Sequence, residues 1–335
     1  MHRLDRRIRI LRGKRSGAFD PDQYYLEKAF RARAARKVRL MLRRQQPVIL
    51  ITPRWSEARE FLDDISVDLS LGRPRVECRT LSMAPMFGRS VHDSRTWVVR
   101  ALGGFIGVSA EGPAAQAVDR QGFRNVVRDL LRRAGTGPRR ALLVHHLQYL
   151  QVDARNDLIQ VFEEYMEEMG RERRLNLLLA GTVDVPSFEL EGAKRVTLPD
   201  FSSVEALEAL TEYTGPASLD VLRRALDVIG GVPALVHRLG QSAEARGGRL
   251  AKNREELWKA LGQLTDEVRG AIAIVSSDEV MATRFEQVAN SGPLPYDKER
   301  DLPLVRAGVL QEIYGGLSHK VMVRAPVFAE MALSY

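Results

Sequence analysis

VILITPRWSEAREFLDDI, residues 48–65, predicts three structural elements in succession. The short β-branched, apolar run at its start is typical of a strand that is buried on both faces. A sharp turn that carries Pro53 follows, and the remainder has the apolar spacing of an amphipathic helix. The helix N-terminus after such a turn favours anions, because its first backbone N–H groups have no partner within the helix.

The length and composition indicate a soluble globular protein of two or three domains. The 335 residues are 44% hydrophobic and 28% charged, which are ordinary values for a chain with a sizeable core. No apolar run reaches the roughly 18 residues of a transmembrane helix, and the first residues lack the apolar stretch of a secretory signal. The single Cys78 and six scattered histidines give neither a disulfide nor a metal-ligand spacing. We therefore expect a cytoplasmic protein with no membrane partner, no metal and no cofactor.

The basic charge of the chain is concentrated at its N-terminus. Residues 1–44 contain 15 Lys and Arg and 4 Asp and Glu, whereas the remainder carries 36 basic and 39 acidic residues. A basic arm is common in proteins that contact nucleic acid or an acidic partner. A solvated helix face in an arginine-rich chain is the alternative reading. The residues expected to contact nucleic acid are Arg3, Arg6, Arg7, Arg9, Arg12, Lys14 and Arg15.

The first 200 residues alternate between strand and helix patterns, which predicts an α/β fold with a parallel sheet and helices on both faces. The predicted strands are PVILIT, RVECRTLS, RRALLVHHLQYL, LNLLLAGT and RVTLPDF. The last of these ends near Asp200, and three helix patterns in a row follow it. A continuous helix is expected in ELWKALGQLTDEVRGAIAIVS, followed by further helices and two strands around Gly315-Gly316. Three helices and a β-hairpin are the plan of a winged helix.

This order of elements resembles the AAA+ and STAND ATPases, in particular the prokaryotic AAA-like group with a C-terminal winged helix. Four segments carry the resemblance: FDPDQYYL before the first strand, RRALLVHHLQYL at the Walker B strand, LNLLLAGT at the sensor-1 strand and GGVPALVHRLG at the GxP segment of the lid. The resemblance extends from about residue 19 to the C-terminus. It implies an AAA-like α/β core over 19–200, a helical lid over 201–252 and a winged-helix domain over 253–335, and the flexible basic arm over 1–18 precedes these domains.

The resemblance also implies a phosphate-binding loop of the form GxxxxGK[ST], and the residues that such a loop needs are missing. In active loops the backbone N–H groups cradle the phosphates, the lysine reaches the β and γ phosphates, and the hydroxyl binds magnesium. Thr52 and Glu57 align with the two glycines, Ala58 with the lysine and Arg59 with the hydroxyl residue. Glu57 would place a carboxylate where phosphate oxygens belong, so the Walker A motif is degenerate.

The Walker B carboxylates of the family are likewise replaced, by His145 and His146. Magnesium prefers oxygen ligands, so imidazole is a poor substitute. Adjacent strand residues point to opposite faces, and we therefore expect the two rings to share no metal. The sensor-like Thr182 and the lid residues Gly231 and Pro233 are retained, and we expect them to serve packing.

The loss at both motifs predicts a protein that is not an enzyme. We expect a catalytically inactive AAA-like scaffold or regulatory subunit in a larger, nucleic-acid-associated assembly. Its expected partners are proteins, together with DNA through the basic arm and the winged helix. Two alternatives stay open: a STAND-type switch in defence or signalling, and an ATPase with a non-consensus loop in which Arg54 or Arg59 replaces the lysine.

If nucleic acid is a partner, we predict that deleting residues 1–16 weakens binding to duplex DNA and flattens its dependence on salt. Lys and Arg that contact phosphates release counterions, so affinity falls steeply as salt rises. Titrating labelled duplex with intact and truncated protein at two salt concentrations measures both effects. Equal affinity and equal salt slope for the two proteins would show that the arm does not contact nucleic acid.

Overall fold

The computed structural model describes residues 30–109, 111–116, 119–170, 174–182, 192–215, 219–251, 253–315 and 318–332. The arm over 1–18 and its seven basic residues lie outside these ranges. No helix within them is both long enough and apolar enough to cross a membrane.

The first part of the chain forms the parallel α/β sheet that the sequence predicts. Its strands are β1 (Val48–Ile51), β2 (Glu77–Ser82), β3 (Arg140–His145), β4 (Leu175–Gly181) and β5 (Lys194–Thr197). They lie in the order β2-β3-β4-β1-β5, and every neighbouring pair is parallel. The helices are α1 (Phe30–Arg43), α2 (Ala58–Leu71), α3 (Val91–Ile106), α4 (Glu111–Gln116), α5 (Arg120–Gly135) and α6 (Val152–Met169).

Both faces of the sheet are covered, which explains why its strands are apolar throughout instead of alternating. Along β3, Ala141 and Leu143 face one apolar cluster with the buried sides of α1 and α2. Leu142 and Val144, which alternate with them, face the other cluster with α3, α5 and α6. The prediction of a parallel sheet flanked by helices is therefore confirmed.

The second part of the chain is mainly helical and contains a small antiparallel sheet. Its helices are α7 (Ser203–Thr214), α8 (Leu219–Ile229), α9 (Pro233–Ala245), α10 (Arg254–Leu261), α11 (Gln263–Ser276), α12 (Glu279–Ser291), α13 (Lys298–Ala307) and α14 (Pro326–Ala332). The strands β6 (Leu294–Pro295), β7 (Leu310–Gly315) and β8 (Ser318–Val323) pair in the order β6-β8-β7.

The structure of this second part differs from the sequence prediction in one feature and adds another. The expected continuous helix is divided into α10 and α11 at Gly262, whose φ of 56° is a left-handed conformation that glycine adopts without penalty. In addition, apolar residues from Ala206 in α7 through Phe328 in α14 belong to one hydrophobic cluster. We call the elements from α7 to α14 the C-terminal module, because they share this core.

Candidate functional site

The carboxyl ends of the parallel strands meet at one edge of the sheet, where ligands bind in open α/β folds. We call this the carboxyl edge. Residues 52–57, the β1 loop, leave β1 there and lead into α2. The loop continues the sheet for one residue, because the buried Thr52 donates its backbone N–H to Gly181 O at 2.8 Å. Thr182 follows β4 at the same edge.

Two residues of the β1 loop have a left-handed backbone that side chains normally avoid. Trp55 has a φ of 60°, and Glu57 has a φ of 49° and a ψ of 52°. Such a conformation costs on the order of 1 kcal/mol or more in a residue other than glycine. Glu57 stands at the position that aligns with the second glycine of a phosphate loop. Ala58, at the lysine position, is buried against the core.

Trp55 joins the β1 loop to the C-terminal module. Its ring stacks on Phe328 of α14 with a centroid separation of 5.6 Å, and its Nε1 donates to Glu267 of α11 at 3.1 Å. Its carbonyl accepts a hydrogen bond of 3.1 Å from Ala234 N at the start of α9. A Cβ atom at Gly308 would lie 3.0 Å from Cζ3 of Trp55, so the module approaches the ring closely. The loop is therefore in contact with three helices of the module.

A buried ion pair lies beside the Trp55 contacts. Arg324, directly after β8, donates from Nε and Nη2 to the two carboxylate oxygens of Asp200 at 2.7 and 2.6 Å. Its Nη1 donates to the carbonyl of Arg54 in the β1 loop. The Arg324 side chain is 1% exposed, so its charge is shielded from water and stabilised by these partners.

Arg31 of α1 braces the other side of the β1 loop. Its guanidinium donates to Ser56 O and to Pro199 O, the latter at 3.1 Å, and lies 4.7 Å from the centre of the Phe201 ring. Burial lowers the pKa of Arg31 to about 10, against the opposing effect of Asp200 and other carboxylates. The side chain is therefore still cationic near neutral pH.

His145 and His146 are closer together than the sequence reading allows. Their ring centres lie 4.4 Å apart, although adjacent strand residues were expected to point to opposite faces. The expectation is wrong because His146 lies just after β3 with a φ of 61°, and this left-handed turn brings its ring back beside that of His145. His146 Nδ1 lies 3.1 Å from Ser82 Oγ.

Burial holds these imidazoles neutral. The pKa of His145 is lowered to about 4, first by burial and then by the nearby His146 and Arg59. The pKa of His146 is lowered by the same two kinds of effect, burial and Arg59. The Arg59 side chain is 78% exposed, and its Nε lies 3.9 Å from Asp63 Oδ2, so an accessible cation stands near these two rings at the carboxyl edge.

Gly231 and Pro233, the lid residues of the resemblance, pack where α9 begins. Phe201 N donates to Gly231 O at 2.9 Å, and a Cβ at residue 231 would lie 2.0 Å from Phe201 O. Only glycine fits this approach between the chain after β5 and the start of α9. Pro233 is buried at the first position of α9. The backbone N–H that proline lacks would have no hydrogen-bond partner within the helix at this position.

Several residues of the site were not among the candidates from sequence. Trp55 lies within the β1 loop, and Arg31, His237 and Arg324 converge on the loop from three different elements. His237 of α9, for example, places Nε2 3.4 Å from an oxygen of Glu57. No local pattern marks these residues, because their partners lie far away in sequence.

Comparison with known proteins identifies the fold. The chain is similar to a solved structure of a Walker-type ATPase of Pyrococcus abyssi, with a TM-score of 0.55 and 12% sequence identity over 91% of this chain and 95% of that one. A STAND protein with a tetratricopeptide-repeat sensor from Pyrococcus horikoshii gives a TM-score of 0.43 and 12% identity over 89% of this chain and 41% of that one. No family model and no curated protein matches the sequence. The chain shares the fold of the Walker-type ATPase structure.

This comparison corrects one expectation from the sequence. The expectation that the chain is not an enzyme is contradicted, because the solved structure that shares its fold is a Walker-type ATPase. The expectation rested on missing motif residues.

We predict that His145 makes the stability of the protein depend on pH. Its folded pKa of about 4 lies below the ordinary value of 6.5, so the unfolded chain binds the proton first and stability falls as pH drops from about 6.5 to 4. The loss attributable to His145 is roughly 3 kcal/mol in the free energy of unfolding. Urea unfolding of the wild type and of His145→Asn across this range measures the difference.

His92→Ala, which removes an exposed histidine at the start of α3, is the matched control and should follow the wild type. A wild-type profile parallel to that of His145→Asn would contradict the buried, neutral state of His145.

Proposed function

We propose that this chain is a switch protein of the STAND type, built on the P-loop ATPase fold. In this proposal the β1 loop holds the C-terminal module against the core, and its release separates the two. The observation that carries the proposal is the contact set of Trp55, which reaches Phe328, Glu267 and Ala234 from the place where a P-loop protein binds phosphate. A loop in that position connects events at the carboxyl edge to the arrangement of the module.

The proposal includes a domain division. We propose a core over 19–200, a lid over 201–252 and a winged helix over 253–335. The order of α11, α12 and α13 before the paired strands β7 and β8 supports the winged helix. The contacts of Gly231 with Phe201, at the junction of the first two units, are consistent with a lid that docks on the core.

An ATPase with a non-consensus loop is the second candidate. Arg59 favours it, because this exposed cation lies at the carboxyl edge beside His145 and His146. A guanidinium binds phosphate oxygens well, although its shape differs from that of a lysine. Phosphate release from ATP that is lost in Arg59→Ala and kept in Arg79→Ala, an exposed arginine of β2, would support this candidate. Equal release by both variants would remove it.

A role as a regulatory subunit or scaffold is compatible with a switch. We propose protein partners for the module, and DNA or an acidic protein for the basic arm. The charge of residues 1–44 is the support for the second partner. The truncation of residues 1–16 tests that partner separately from the switch.

We predict that Trp55→Ala loosens the C-terminal module from the core. The change removes the stack on Phe328 and the hydrogen bond to Glu267, a loss of roughly 2 kcal/mol. The radius of gyration from small-angle scattering should increase, and protease should cut faster near residue 200. Phe87→Ala is the control, since this exposed ring packs on Tyr149 within the core.

Unchanged scattering and proteolysis in Trp55→Ala, with Phe87→Ala also unchanged, would contradict the holding role of the loop.

A further inference from the structure

Three side chains with metal-binding atoms converge between the core and the C-terminal module. Glu57 ends the β1 loop, Glu60 lies in the first turn of α2, and His237 lies on α9. One ligand atom from each lies within 4.8 Å of the other two. Among the described residues no other group of three such side chains meets this criterion.

The distances within this cluster match those of a tetrahedral site. His237 Nε2 lies 3.4 Å from Glu57 Oε2 and 3.3 Å from Glu60 Oε2. Zinc binds imidazole nitrogen and carboxylate oxygen at about 2.0–2.2 Å, so neighbouring ligand atoms of a tetrahedron stand about 3.3–3.5 Å apart. The two separations from His237 therefore suit ligand atoms around one zinc-sized ion, and one oxygen of each carboxylate lies within 4.8 Å of the other.

The histidine is held in the orientation that such a site requires. His237 is buried, with 6% of its surface exposed, and its Nδ1 lies 3.1 Å from the hydroxyl of Tyr213. That contact fixes the ring and directs Nε2 toward the two carboxylates, as outer partners do for metal-bound histidines. The Phe201 and Tyr213 rings stand edge-on to the imidazole and form an apolar wall behind it.

The ligand types select the class of ion. Two carboxylate oxygens and one imidazole nitrogen suit zinc and similar transition metals, whereas magnesium and calcium take oxygen ligands almost exclusively. Three protein ligands would leave a fourth position for water or for a substrate atom. Arg31 is a nearby cation, since Glu57 and Glu60 both raise its pKa, and it would compete electrostatically with a bound ion.

We propose that Glu57, Glu60 and His237 form a binding site for one zinc-class divalent cation. The ion would join the first turn of α2 in the core to α9 in the C-terminal module. No metal-ligand spacing is visible in the sequence, because His237 is distant in the chain from Glu57 and Glu60 and meets them only in the fold. This proposal goes beyond the proposed switch and does not depend on ATP binding.

The test is zinc binding by the full-length protein, measured by competition with a chromophoric zinc chelator after removal of metal and without nucleotide. We expect one equivalent of zinc per chain and a higher midpoint of thermal unfolding when zinc is present. Glu60→Gln keeps the side-chain shape and should weaken zinc binding more than about tenfold, as should His237→Ala. Tyr213→Phe, which removes only the contact to Nδ1, should weaken it about tenfold.

The matched control is His319→Ala. His319 Nε2 also lies 3.3 Å from a glutamate oxygen, that of Glu312, but within the C-terminal module and outside the cluster. We expect this variant to bind zinc as the wild type does. Wild-type affinity in both Glu60→Gln and His237→Ala, or no zinc bound by the wild type, would overturn the proposal. Circular dichroism of each variant distinguishes lost binding from lost folding.

Discussion

The buried pair of Arg324 and Asp200 fixes how the two parts of the chain meet. Asp200 follows the last strand of the parallel sheet, and Arg324 follows the last strand of the C-terminal module. Two parallel hydrogen bonds of 2.7 and 2.6 Å set both distance and orientation, because a guanidinium and a carboxylate match only in plane. Breaking such a pair from one side leaves a buried charge and costs about 3–5 kcal/mol. Arg324 also donates to Arg54 O, so the same residue positions the β1 loop.

The other contacts at this junction depend on the relative position of the core and the C-terminal module that this ion pair sets. Trp55 reaches Phe328 only when α14, which begins just after Arg324, stands against the loop. Phe201, which Gly231 approaches closely, directly follows Asp200 in the sequence. The β1 loop therefore contacts the C-terminal module through the Trp55 ring and the Arg54 carbonyl. A ligand that entered the carboxyl edge and displaced these side chains would shift the balance between docked and released modules.

Residues 48–65 illustrate how much of the fold could be predicted from sequence. The strand, the turn and the helix are all present, because burial on both faces and helical spacing leave clear periodicities. The same reasoning missed the left-handed turn at His146 and the break at Gly262, since a single residue with positive φ leaves no periodic signal.

The candidate site was predicted less completely, and for a different physical reason. Thr52, Glu57, Arg59 and Thr182 follow strands of one parallel sheet, so their common location could be inferred. Arg31, His237 and Arg324 reach the loop from distant elements, and no local pattern encodes such contacts. The expectation of a protein that is not an enzyme failed because it rested on residues that depart from one consensus motif. The fold depends instead on which residues are buried and on the order of the strands.

Scanning calorimetry of Arg324→Met tests most directly whether this ion pair couples the core to the C-terminal module. If it does, the wild type unfolds in one cooperative transition and the variant in two, because the two parts then melt separately. Arg284→Met is the matched control, since Arg284 pairs with the fully buried Asp301 inside the module. That variant should melt at a lower temperature and still in one transition. A single transition in Arg324→Met, or two transitions already in the wild type, would contradict the account.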